Sequence, residues 1–139
     1  MKSSFTIAFI LVALALSMAI VPAAAGQKQE PGVSVPKYDP AHEATFEGTI
    51  VEVVDRQCPV SGGLGSHLIL KLADARTIEV HLATTKFVKR FDLVFNKGDK
   101  VGVVGMEVQF EGKQTIFARE VTRGSETFVF RDKRGSPIW

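Results

Sequence analysis

The stretch Ser66–Leu82, SHLILKLADARTIEVHL, decides the fold. Two runs alternate apolar and polar residues around Ala73, Asp74 and Ala75. Successive side chains of a strand point to opposite faces, so Leu68, Leu70, Leu72, Ile78, Val80 and Leu82 share one side. His67, Ile69, Lys71, Thr77, Glu79 and His81 share the other. The reading is a β-hairpin that packs on one face and meets water or a ligand on the other. Pairing Leu72 with Arg76 leaves a three-residue loop, a type I turn closed by a left-handed residue. That places Ala75 in a conformation glycine adopts more cheaply.

The same register sets His67 directly across from His81. Opposed residues hold their Cβ atoms roughly 4.5–5.5 Å apart, near enough for two imidazoles to share a metal ion. Two ligands rarely suffice. Glu79 on the same face and Cys58 in the preceding segment are the further donors, and histidine with thiolate suits copper or zinc. The plain alternative is a pair of half-exposed histidines filling the pleat. Ile69, Lys71, Thr77 and Glu79 form the candidate ligand face.

Working outward, Thr45–Asp55, TFEGTIVEVVD, is a strand rich in β-branched residues, with Gly48 marking a bend and a faltering alternation after Ile50 that suggests a bulge. Arg56–Gly65, RQCPVSGGLG, reads as a loop, and without a Gly-Lys-Ser or Gly-Lys-Thr ending it is not a nucleotide cradle. Downstream, Thr84 and Thr85 can cap a short helix reaching Phe91, whose Phe87 and Phe91 stripe would plug the core. Asn96–Asp99 turns the chain. Lys100–Phe110, KVGVVGMEVQF, is a strand whose apolar parity switches between Val103 and Val104, predicting a bulge near Gly105. Gln114–Thr122 and Thr127–Arg131 are two further strands, and the terminal Ile138 and Trp139 are expected to dock on the body. The order predicts an all-β fold: a five-stranded OB-type Greek-key barrel with one short helix between strands three and four, plus a C-terminal extra strand.

The chain has 139 residues, enough for one domain. Lys2, the apolar run Phe5–Val21, Pro22 and the small residues Ala23–Ala25 form a signal-peptide pattern, with cleavage expected after Ala25. An uncleaved anchor is the alternative, since the run approaches the roughly 20 residues that span a bilayer. Residues 26–44, with Pro31, Pro36 and Pro40, read as a flexible arm, and 45–139 as the barrel. Export implies a periplasmic or secreted protein with no membrane insertion once the signal is removed.

The 17 basic and 15 acidic residues, a net charge of +2, are interspersed and make no phosphate-binding stripe. The ligand face carries no Phe, Tyr or Trp on which bases could stack, which argues against nucleic acid as a partner. The single cysteine, Cys58, cannot form an internal disulfide; an inert thiol, a reactive one and half of an intermolecular bridge all stay open. No placed nucleophile and base are visible, so no enzyme is expected. The expectation is a non-enzymatic binding or scaffolding module for a protein or small ligand. Copper or zinc held by His67 and His81, with Cys58, is the alternative, and oligonucleotide or oligosaccharide binding ranks third.

HLATTKFVKRFDLVFNKGDKVGVVG (81–105), IFAREV (116–121) and FVFRDKRGSPIW (128–139) resemble exported bacterial OB-type domains related to the C-terminal domain of magnetosome proteins of the MamS and MamX type. In architecture the chain is also similar to periplasmic bacterial OB-fold stress proteins. The resemblance covers about 46–139 and implies an extracytoplasmic, non-enzymatic domain. Haem-attachment motifs of some relatives have no counterpart here because Cys58 stands alone.

Overall fold

A computed structural model describes residues 32–139. The segment read as a signal peptide and the arm's first residues, 26–31, lie outside the described residues. One turn of 3-10 helix, Pro40–His42, leads into β1 (Glu43–Cys58), β2 (Gly63–Leu72), β3 (Thr77–Thr84), helix α1 (Thr85–Arg90), β4 (Lys100–Phe110), β5 (Lys113–Arg123) and β6 (Glu126–Val129). The strands neighbour one another in the order β3-β2-β1-β4-β5-β6, and a parallel pairing of β3 with β5 closes the first five into a barrel. The expected OB topology, with its helix between strands three and four and an added sixth strand, is the one observed.

β1 makes the closure possible because it serves two partners. Its first half pairs with β4 and its second half with β2, the two overlapping at Gly48 and Thr49. At this crossover a Cβ on Gly48 would lie 2.9 Å from the carbonyl of Lys71, so the close approach needs glycine. The register shift between Ile50 and Glu52 supplies the bulge that bends the strand. A second shift, between Val104 and Gly105 against β5, falls where the parity of β4 changes.

The hairpin register is the expected one. His67 faces His81 and Lys71 faces Thr77, Leu72 N–H donates to Arg76 O at 2.8 Å, and Ala75 has φ 69°. The apolar row Leu68, Leu70, Ile78, Val80 and Leu82 is buried with Ile50, Ile116, Val121 and Phe130 in one core. Each such aliphatic or aromatic side chain contributes on the order of 1.5–3 kcal/mol by leaving water.

Four expectations are corrected. The hairpin's second face is not open to solvent along its length: His67 and His81 are each 1% exposed and Glu79 is 5% exposed, because barrel closure and the C-terminal tail cover that end. Arg56–Gly65 is mostly strand, with β1 and β2 paired out to Cys58 and Gly63 around a turn at Pro59–Gly62. The aromatic stripe of α1 is split, since Phe87 packs on the core while Phe91 is 56% exposed. Of the terminal pair, Trp139 packs on the core and Ile138 stays half exposed. Within the segment read as an arm, Tyr38 is buried and its ring lies under the guanidinium of Arg131 at 4.9 Å.

Candidate metal centre

Three donors converge at one end of the β1–β2–β3 surface. Cys58 ends β1, His67 lies on β2 and His81 on β3, and one ligand atom from each falls within 4.8 Å of the others. All three side chains are buried. A third register shift, between Ser66 and His67, leaves Leu82 without a partner and turns the two histidines towards each other. Their rings meet edge to face, with centroids 4.9 Å apart and planes at 86°.

The surrounding contacts define which atoms point inward. A Cβ built on Gly65 would lie 2.5 Å from Ser61 Oγ, 3.0 Å from His67 Nε2 and 3.2 Å from the Cβ of Cys58, so the bare glycine opens the space these groups share. Ser61 Oγ reaches His81 Nε2 at 2.9 Å. On the far side of the His67 ring, Nδ1 lies 2.7 Å from Glu79 Oε1, off the line of a hydrogen bond but close enough to pair by charge. Glu79 also receives Arg56 Nε at 2.7 Å and the ammonium of Lys113. The carboxylate is thus engaged in orienting His67, leaving Nε2 to face Cys58, the arrangement typical of metal-ligating histidines.

Protonation suits ligation at His81 and Cys58, while His67 holds its proton more tightly than a free imidazole. Burial, reinforced by the charges of His67, Arg131 and Arg56, lowers the His81 pKa to about 3, so this imidazole is neutral at any ordinary pH. Burial alone would raise the Cys58 thiol, but His67 and the backbone N–H groups of Val60 and Ser61 outweigh it and bring the thiol below its usual range. Burial pushes His67 down, and Cys58 and Glu79 more than reverse that. Both nitrogens of His67 and Nδ1 of His81 are buried without a hydrogen-bond partner. An unpartnered buried polar atom costs about 1–3 kcal/mol, and a coordinated cation relieves it at a ligating nitrogen. A groove of about 400 Å³ lined by Gln57, Cys58, Pro59, Gly62, Gly63 and Glu111 runs beside the cluster.

The candidate ligand face divides. Glu79 is buried in the ion-pair group, while Ile69 is half-buried and Lys71 and Thr77 are exposed. A second groove of about 480 Å³ runs beside them, lined by Ile69, Arg76, Thr77, Ile78, Glu79, Lys113 and Gln114 and without an aromatic wall.

A sequence profile of the MamS/MamX magnetosome protein family matches residues 42–128, more than half of the chain. The chain belongs to this family. No curated protein matches it. The MamS/MamX region contains Cys58, His67, His81 and Glu79, whereas Tyr38, Arg131 and Trp139, which cover this end of the barrel, lie outside it.

Sequence reasoning reached the opposed histidines and named Cys58 as a third donor, but missed Ser61, Arg56, Lys113 and Arg131. The signal for Ser61 was available. Extending β1 and β2 around Pro59–Gly62 keeps one continuous register from Asp55 with Ser66 to Cys58 with Gly63, and so brings the turn against the histidine end. Reading the proline and glycines as a loop concealed it.

Proposed function

We propose that this MamS/MamX-family domain is an exported, non-enzymatic binding module whose ligand is a transition-metal ion held by Cys58, His67 and His81. The observation that carries the reading is the convergence of one thiol and two buried imidazoles within 4.8 Å, with His67 Nε2 and His81 Nδ1 left without a hydrogen-bond partner. One thiolate and two imidazoles select copper or zinc over hard, oxygen-seeking cations. Metal bonds of about 2.3 Å to sulfur and about 2.0–2.1 Å to nitrogen set donors roughly 3.5 Å apart, so donors now within 4.8 Å of one another draw together on binding. The signal-peptide pattern of residues 2–25 supports an extracytoplasmic location, where a thiol-containing site must exclude adventitious oxidation by burial.

Anaerobic calorimetry with Cu and Zn salts tests the reading. The wild type is expected to take up one equivalent, and Cys58→Ser, His67→Gln and His81→Gln each to weaken binding by at least about tenfold while keeping the far-ultraviolet spectrum of the barrel. Gly65→Ala, which pushes a methyl group among Ser61, His67 and Cys58, is expected to do the same without removing a donor. Equal, weak titrations of wild type and a His67→Gln, His81→Gln double variant refute the metal site.

A further inference from the structure

The charges around the three donors say which ion they hold. We infer, resting on the metal-binding reading above, that the site takes a monovalent soft cation, Cu(I), in preference to Zn(II). A metal ion enters as the thiol proton of Cys58 leaves to solvent. The new bond is metal to sulfur, and no oxidation state changes. Exchanging a proton for Cu(I) leaves the net charge of the buried site as it was. Exchanging it for Zn(II) adds one positive charge.

The surroundings penalise that extra charge. Arg131 is 5% exposed and, among the described residues, forms no salt bridge. Its Nη1 donates to Gly135 O at 3.0 Å and its Nε has no partner. The guanidinium sits over the rings of Phe117 and Trp139 at 5.9 and 5.8 Å, and the same two rings lie 5.9 and 5.7 Å from the ring of His81. A buried cation without a counterion thus shares two walls with a ligand of the site. On the other side, Arg56 and Lys113 face Glu79, and Glu111 meets Arg56 at 3.0 Å. Three cations therefore stand against two carboxylates before any metal arrives, and burial of Arg131 beside the site strengthens its share of the repulsion most.

Coordination number points the same way. Glu79 is occupied by His67, Arg56 and Lys113 and is not free as a fourth ligand. Ser61 supplies only a neutral hydroxyl, so Zn(II) would have to complete its four-coordinate shell with that hydroxyl or a water drawn into this buried end, which a three-coordinate ion does not need. Two imidazoles and a thiolate satisfy the trigonal preference of a soft d10 monovalent ion.

Competition between Cu(I), delivered anaerobically against a chromophoric chelator, and Zn(II) tests the inference. Trp139, the sole tryptophan, reports occupancy from beside His81. The wild type is expected to retain Cu(I) in the presence of equimolar Zn(II). Arg131→Met is expected to raise Zn(II) affinity about tenfold while moving Cu(I) affinity less than about threefold. Should Arg131→Met fail to fold, Lys113→Met, at a half-exposed side chain, is expected to shift Zn(II) in the same direction by a smaller factor. Displacement of Cu(I) by equimolar Zn(II), or an equal gain for both ions in these variants, overturns the preference and leaves the metal site standing. Failure of both ions to bind the wild type overturns the metal site as well.

Discussion

Ala75 holds φ 69° at the close of the β2–β3 turn, a region in which a Cβ crowds the following carbonyl. Relief of that strain, of about 1 kcal/mol, competes with the greater freedom a glycine gives the unfolded chain, of about 0.4–1 kcal/mol. Ala75→Gly is therefore expected to be neutral or to raise the melting temperature slightly, and a clear loss in a thermal melt would contradict the turn geometry. The turn was legible because three residues, two apolar runs and one register leave a single solution. The same register placed His67 against His81, so half of the candidate site could be read from seventeen letters. Their burial could not. It depends on Trp139, Phe117 and Arg131, which approach from distant parts of the chain, and alternation along a strand says only which side a residue faces, never what covers that side.

Glycine and bulges shape the strands where they must bend. On β4, a Cβ at Gly105 would fall 2.4 Å from the carbonyl of Phe117 and 2.8 Å from Cγ2 of Ile116, and the first of these is backbone that cannot step aside. Gly105→Ala is expected to destabilise the barrel by about 2 kcal/mol or more by forcing β4 from β5, measurable as a shifted midpoint in urea with an unchanged slope. Survival at wild-type stability would mean that the β4–β5 bulge, where Arg119 is the unpaired residue, can slide. Among the described residues three bulges shape the strands; the one after Ile50 announced itself as a parity break, and the parity change of β4 lies beside a second whose extra residue, Arg119, is on β5. The third, at Leu82, left no trace. Leu82 and Ala83 are both buried, so a slip of one residue changes nothing in the apolar pattern. Helix α1 was visible through the Thr84 cap, whose hydroxyl accepts from Phe87 N–H at 3.2 Å, but its six residues turn too little to bury both phenylalanines.

At the scale of the molecule, the order of strands and helix gave the barrel, while the segments that wrap it had no periodicity to read. Tyr38 shows what those segments do. Its hydroxyl donates to Glu43 Oε1 at 2.7 Å, the same oxygen takes Arg119 Nε at 2.6 Å, and its ring carries the guanidinium of Arg131, so the start of the described chain is fastened to β1, β5 and the C-terminal tail. Burial, then the hydrogen bond to Glu43 and the charge of that carboxylate, raise the phenol well above its ordinary value of 10, with Arg119 and Arg131 opposing weakly. The sign of the linkage follows. The unfolded chain releases this proton near pH 10 and the folded chain holds it, so the stabilisation is complete below pH 10 and is lost as pH rises beyond it. Tyr38 is the only tyrosine, and phenolate absorbance therefore reports this one group. The absorbance is expected to appear together with alkaline unfolding, well above pH 10, while Tyr38→Phe lowers stability at neutral pH and flattens its decline between about pH 9 and about pH 11. A phenol that titrates near 10 with the barrel intact would show that the N-terminal segment opens independently, and the cover over His81 would then rest on Arg131 and Trp139 without it.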